Sequence, residues 1–239
     1  MSPNPQSFLE HLREFGYHPR SDKHSNALAQ AIVRDLFTYC PKIQEKARAG
    51  GIVYQLNFTL RAGTAEWNVD LVLGEPRLGI EVPSDAEMVP NQSPSAVQIA
   101  IEIKSVMTEH RKAVKNRKRD LEAHHEHVHN YSDAAIAGGV LVVNGSASFQ
   151  SPLRQDQTTH RRPDDLVRHC VAELRSVAGR GGRTGYGLEG RCAIVVDLDN
   201  VNRMGASFRT APPAPQVGDP LHYDAFIRTI CDHYSRRFS

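Results

Sequence analysis

The chain has 239 residues, 40% of them hydrophobic and 23% charged, with a formal net charge of +2 at pH 7. That apolar content can fill one sizeable core, and the small net charge does not by itself point to a nucleic-acid partner. No apolar run approaches the roughly 20 residues that cross a bilayer and the start, MSPNPQSFLEHLREF, lacks a signal-peptide core, so a soluble, cytoplasmic protein with no membrane partner is expected.

Phe8, Leu9, Leu12 and Phe15 fall at helical spacing and predict a short amphipathic helix. A second helix is predicted from Ser25, a good N-cap, through Leu28, Ala31, Ile32, Leu36 and Phe37 to a stop before Pro41. Gly50 and Gly51 break the chain before a strand over residues 52–58, and Gly63 helps turn it toward a second strand over 66–74. There Trp67, Val69, Leu71 and Leu73 alternate with Asn68, Asp70 and Val72, so Asp70 lies on the less apolar face. Pro76, Pro83, Pro90 and Pro94 mark an inserted loop, with one short apolar piece at residues 78–82 that reads as an extra strand and carries Glu81 as a reserve acidic ligand.

The next strand organises the chain. Val97, Ile99, Ile101 and Ile103 alternate with Gln98, Ala100, Glu102 and Lys104, so a carboxylate and an ammonium share one face beside a buried one. Charges are seldom placed there unless paired or bound to a metal. If the Asp70 strand lies alongside, Asp70, Glu102 and Lys104 meet, and two carboxylates suit Mg²⁺, which also takes phosphate oxygens. Such a set hydrolyses phosphodiesters: the metal lowers the pKa of a bound water and Lys104 orients it or stabilises the hydroxide.

A helix is predicted from Thr108, with Val114, Leu121 and Val128 as its apolar stripe. Arg111, Lys112, Lys115, Arg117, Lys118 and Arg119 crowd its first half, a cluster that suits phosphates. Its second half holds His125-Glu126-His127-Val128-His129, which matches H-E-x-x-H and offers a zinc-peptidase alternative, with His125 and His129 as ligands and Glu126 as base. A strand over 139–144 completes a crossover unit with parallel strands. Residues 145–163 form a polar loop or recognition insertion with Arg154, Arg161 and Arg162; Asp164 caps a helix over 166–177. The run 179–187, with Arg180, Arg183 and Tyr186, is glycine-rich and basic enough to approach a nucleic-acid backbone, but no Gly-Lys-Ser/Thr makes it a Walker loop. A last core strand, 193–200, ends in Asp197 and Asp199, either a second metal-binding candidate or an acidic strand end entering a turn; a proline linker and a helix over 222–234 follow. Cys40, Cys170, Cys192 and Cys231 are scattered without a C-x-x-C pair and read as reduced core residues.

An Asp on one strand followed by Glu-x-Lys on the next resembles the PD-(D/E)XK nuclease superfamily, the fold of most type II restriction endonucleases. The resemblance runs from about Ser25 to Asn144; Val69 stands where the motif has proline. It implies a restriction-endonuclease-like α/β fold, a mixed sheet of four to five strands flanked by helices, in a single nuclease domain with a core at about 25–200, an N-terminal helical segment 1–24, and a C-terminal linker and helix 201–239. It also implies catalysis by Asp70, Glu102 and Lys104, and metal binding by Asp70, Glu102 and the Ile103 backbone carbonyl, with Mg²⁺ as cofactor and Mn²⁺ as a substitute. In this family the helix before the first strand sometimes lends an acidic residue, for which Asp35 is the candidate. The implied activity is DNA phosphodiester hydrolysis, as a sequence-specific type II restriction endonuclease or related defence nuclease acting on double-stranded DNA as a homodimer. Arg111, Lys112, Lys115, Arg117, Lys118, Arg119, Arg180 and Arg183 are the expected DNA contacts. A non-catalytic DNA-binding module is the remaining alternative.

Overall fold

The structure, a computed structural model, describes residues 3–79, 81–83, 85–108, 111–154 and 156–238, with the side chains of Ala62 and Arg111 left out. Its helices are α1 (Gln6–Phe15), α2 (Lys23–Tyr39), α3 (Pro41–Arg48), α4 (Arg111–Tyr131), α5 (Pro163–Ser176) and α6 (Tyr223–Arg237). The strands are β1 (Val53–Ala62), β2 (Ala65–Pro76), β3 (Pro94–Val106), β4 (Ile136–Asn144), β5 (Ser148–Phe149), β6 (Thr158–Thr159), β7 (Gly190–Asp197) and β8 (Ser207–Phe208).

A mixed sheet of six strands runs in the order β1-β2-β3-β4-β7-β8, and β5 and β6 form a separate pair. Pairing is antiparallel from β1 to β3 and parallel from β3 through β4 to β7, so α4 and α5 serve as crossovers. The count exceeds the expected four to five because β8 spans two residues, too short to leave a period of two in the sequence. No strand occurs at residues 77–79 and 81–83; Ile80, in the piece read as an extra strand, lies outside the described residues. Pro41 stops α2 and, sitting where a helix needs no amide hydrogen, also opens α3, a helix that reading it only as a breaker misses. The helix predicted from Thr108 is described from Arg111 onward.

The sheet separates two apolar clusters. One gathers Phe8, Leu12, Leu28, Ile32, Leu36 and Phe226 over Leu71, Ile99, Ile101 and Ile103, under α1, α2, α3 and α6. The other gathers Val114, Leu121, Val128, Leu166, Val167 and Leu174 over Val69, Ala100, Leu141 and Val195, under α4 and α5. Fully burying such side chains contributes about 1.5–3 kcal/mol each, and the two faces fix which way β2 and β3 present their polar residues. Among the described residues no helix is long and apolar enough to cross a membrane.

Candidate active site

Asp70 occupies a break in the sheet. The β1–β2 register passes from Leu56↔Leu71 to Phe58↔Val69 around Asn57, whose φ is +51°. Asparagine tolerates this left-handed backbone better than most residues. The alternation breaks here: Val69 packs under α4, whereas Leu71 and Leu73 pack under α2 and α6. The β2–β3 ladder also ends here, at Leu71↔Ile101. In place of a further rung, Asp70 Oδ2 accepts a hydrogen bond from the Ile103 amide at 2.7 Å.

Glu102 and Lys104 lie on the face of β3 that looks toward α4. Glu102 is 2% exposed, and its Oε1 forms an ion pair with Lys104 Nζ. Burial first, and then the charge of Asp70, raise the Glu102 pKa from 4.5 to about 7 against the pull of Lys104. Burial raises Asp70 as well, against the Lys104 charge and the Ile103 amide. Burial works against the Lys104 ammonium, but Glu102 and Asp70 outweigh it and hold its pKa above the ordinary value. Lys104 is therefore a hydrogen-bond donor and a fixed positive charge at neutral pH, not a base.

Residues outside the motif complete the site. His124 of α4 is buried; its Nε2 lies 3.2 Å from the Ala100 carbonyl and its Nδ1 3.8 Å from Glu102 Oε2. Because a carbonyl only accepts, Nε2 carries the proton and the bare Nδ1 faces the carboxylate. Both Nδ1 and Glu102 Oε2 are buried without a hydrogen-bond partner. From α2, Ser25 and Asp22 come near Asp70, the hydroxyl lowering its pKa and the carboxylate raising it. Asn57 fixes that approach, its amide donating to Asp22 Oδ2 at 2.9 Å and to Asn26 Oδ1 at 3.2 Å. The acidic residue that α2 brings to the site is thus Asp22, at its N-terminus. Asp35 instead lines a cavity with Tyr39, His222 and Tyr223. An Asp-x-x-Ser at a helix start was the available signal, but it reads equally well as a cap; nothing in the sequence distinguishes His124 from the histidines around it.

The donors at Asp70 and Glu102 fit a hard divalent cation. The half-buried Asp70 carboxylate raises the pKa of the buried Glu102, and Glu102 keeps an orphaned oxygen, a strain that a bound dication relieves. Among the described residues no group of three or more His, Cys, Asp or Glu side chains gathers in this way, so a third protein ligand would come from the backbone.

The expected DNA contacts divide. Lys112, Lys115 and Arg119 are exposed on α4. Arg117 pairs with Asp120 at 2.9 Å, and Lys118 with Glu173 at 3.6 Å and Glu122 at 3.7 Å. The Arg111 side chain lies outside what is described. Arg180 departs from expectation: it is buried, pairs with Glu189 at 3.3 Å and donates to His129 Nδ1 at 2.6 Å, so it holds the fold and has no free face for phosphate. Arg183 is exposed but precedes the N-terminal end of β7, while Lys112 and Lys115 follow the C-terminal end of β3. Parallel strands place those groups at opposite ends of the sheet.

The two histidines of the H-E-x-x-H segment differ: His125 is buried with neither ring nitrogen hydrogen-bonded, whereas its expected partner is engaged by the fold. His129 Nε2 donates to the Gly187 carbonyl at 2.8 Å and its Nδ1 accepts from Arg180, so both ring nitrogens are engaged; Glu126 is exposed. Glu81 is exposed in the loop before β3. Asp197 pairs with Arg209 at 2.7 Å and Asp199 Oδ1 accepts the amides of Val201 and Asn202 at 2.8 Å, the acidic strand end entering a turn. The chain matches no protein-family model, no curated protein and no solved structure.

Proposed function

We propose that this chain is a Mg²⁺-dependent endonuclease that hydrolyses DNA phosphodiester bonds in the manner of the PD-(D/E)XK nucleases, as a type II restriction endonuclease or related defence nuclease. The observation that carries the reading is the convergence of Asp70, Glu102 and Lys104 where β2 and β3 part, with Asp70 anchored to the backbone between the other two.

Asp70, Glu102 and the Ile103 carbonyl are the residues that would hold the cation, which Mn²⁺ can replace. When bound, Mg²⁺ stabilises charge on the scissile phosphate and lowers the pKa of a bound water. The Ile103 amide fixes the Asp70 carboxylate, and the body of α4 excludes solvent from the Glu102 side. Lys104, permanently cationic, donates to the attacking water or to a phosphate oxygen and compensates the negative charge that grows in the transition state. Lys112, Lys115 and Arg119 give the phosphate backbone a basic approach beyond the end of β3, and the loop 145–163, with Arg154, Arg161 and Arg162 exposed, is the candidate base reader. One site per chain cuts one strand, so cleavage of both strands calls for a homodimer.

The direct test is incubation of wild type, D70N and K104A with plasmid and phage DNAs in Mg²⁺, Mn²⁺ or EDTA. Discrete metal-dependent fragments from wild type alone are expected. Equal cleavage by both variants would remove these residues from the chemistry.

A further inference from the structure

Cys40 sits at the joint between α2 and α3, and Cys231 lies on α6, which packs against that joint. Although 191 positions separate them in the chain, Cys40 Sγ is 4.0 Å from the Cys231 carbonyl and Cys231 Sγ is 3.9 Å from the Tyr39 carbonyl. These crossed contacts set the two thiols side by side, close enough to act on each other's ionisation, with the Ser235 hydroxyl also in reach. Cys40 is the N-cap of α3, and the Lys42 and Ile43 amides face its sulfur. A helix start and a donating neighbour are what stabilise a thiolate, and the pair accordingly loses its first proton below the ordinary thiol value, Cys40 falling to about 7 through the neighbouring Cys231 and the amides, against burial. Cys40 is buried, whereas Cys231 is partly exposed. The other two cysteines contrast with them: Cys170 and Cys192 are buried, and burial pushes the Cys170 thiol up to about 12 and Cys192 higher still.

We infer that Cys40 and Cys231 form a reversible dithiol–disulfide couple that clasps the C-terminal helix α6 to the α2–α3 joint, with low-molecular-weight disulfides as its oxidants. Cys40 and burial push the Cys231 thiol up, so in the first step its proton passes to the Cys40 thiolate as Cys231 Sγ, on the exposed position, attacks one sulfur of the small disulfide and expels one thiolate, leaving a mixed disulfide; Cys40 then returns that proton to solvent. The Cys40 thiolate then attacks Cys231 Sγ, forms the internal bond and expels the second thiolate. Two protein thiols are oxidised and one small disulfide is reduced to two thiols, so electrons and sulfur balance. The closed loop spans most of the chain, which is where a cross-link restricts the unfolded state most. This inference does not depend on the nuclease reading.

The test treats the full chain, at pH 8, with oxidised glutathione and counts thiols after denaturation. The count is expected to fall from four by two. Peptide mapping should join the segment holding Cys40 to that holding Cys231, and the melting temperature should rise by several degrees, reversibly with dithiothreitol. C231S should show neither the loss of two thiols nor the rise. C40S should stop at a glutathione adduct on Cys231, which separates attack from resolution even if one variant folds less well. An undiminished thiol count, a lasting glutathione adduct in wild type, or a bond involving Cys170 or Cys192 would overturn the inference.

Discussion

The stretch from β3 to the end of α4 carries two buried clusters of acids and bases, and they are built differently. At its far end Glu189 is fully matched: Arg237 lies 2.9 Å and Arg180 3.3 Å from its Oε1, and Oε2 accepts the Ala137 amide at 2.7 Å. At the near end Glu102 has one cation for two carboxylates, an unpartnered oxygen, and a pKa raised to about 7 by burial and Asp70. Buried charges that serve only the fold are paired, because breaking such a pair costs about 3–5 kcal/mol. A cluster left with excess negative charge stores a binding capacity for a cation. The contrast separates a structural network from a candidate site although both set a histidine and a basic side chain beside a buried Glu.

The sharpest way to break the contrast is to remove one carboxylate from each cluster. D70N keeps an oxygen that still accepts the Ile103 amide but removes a ligand charge; it should fold normally and lose at least about a hundredfold of cleavage, as K104A should. E189A leaves Arg180 and Arg237 buried without their anion and should lower the melting temperature by about 10 °C, from a loss of roughly 3–5 kcal/mol. Activity assays beside thermal melts decide it, and a D70N protein that melts like E189A would make Asp70 a structural residue.

A second expectation follows from the raised pKa of Glu102. A carboxyl that titrates higher in the folded state than in the unfolded chain contributes stability below the unfolded value, 4.5, and loses it as pH climbs through about 7. E102Q, neutral throughout, should therefore match wild type near pH 5 and exceed it at pH 8 in metal-free buffer, by on the order of 2–3 kcal/mol. Mg²⁺ should raise the wild-type melting temperature at pH 8 and leave E102Q unmoved. Melts across pH, with and without metal, read both effects; a wild type more stable than E102Q at pH 8 without metal would reverse the assigned electrostatics.

The motif was legible because β3 keeps its period of two from Ile99 to Ile103, all three packing in one cluster. Val97, read with them, packs on the other face because the register slips between Leu73 and Gly74. A bulge is a backbone event, and no residue type announces it. Asp22 and Ser25 escaped notice because their role depends on how α2 docks through Asn57. Arg180 was misread for a related reason: beside glycines it looks exposed, and only the fold brings Glu189 and His129 around it.

His124 offers a smaller effect on the same site. H124Q retains a polar side chain of similar reach but cannot keep both the ring's bond to the Ala100 carbonyl and its fixed face toward Glu102 Oε2. Loosening a group that orients a ligand costs about 10- to 100-fold in metal affinity or activity. The Mg²⁺ concentration for half-maximal cleavage should therefore rise by roughly tenfold, with the rate at saturating Mg²⁺ less affected. A rate loss that Mg²⁺ cannot restore would place His124 in the chemistry itself.

The smallest expected effect concerns where the duplex lies. Lys115 and Arg119 are exposed on the half of α4 that follows Lys104, whereas Arg183 stands at the opposite end of the parallel strands and donates to the Arg236 carbonyl at 3.2 Å. A duplex across the site of Asp70 and Glu102 can reach the first two and misses the third. Losing one phosphate contact weakens binding to all sequences and reduces the slope of log affinity against log salt by about one. K115A and R119A should each do so in binding titrations with Ca²⁺ in place of Mg²⁺, and R183A should leave both slope and affinity unchanged. If R183A alone flattened the slope, the nucleic acid would have to enter from the glycine-rich end, and the β2–β3 site could not be the place where it is cut.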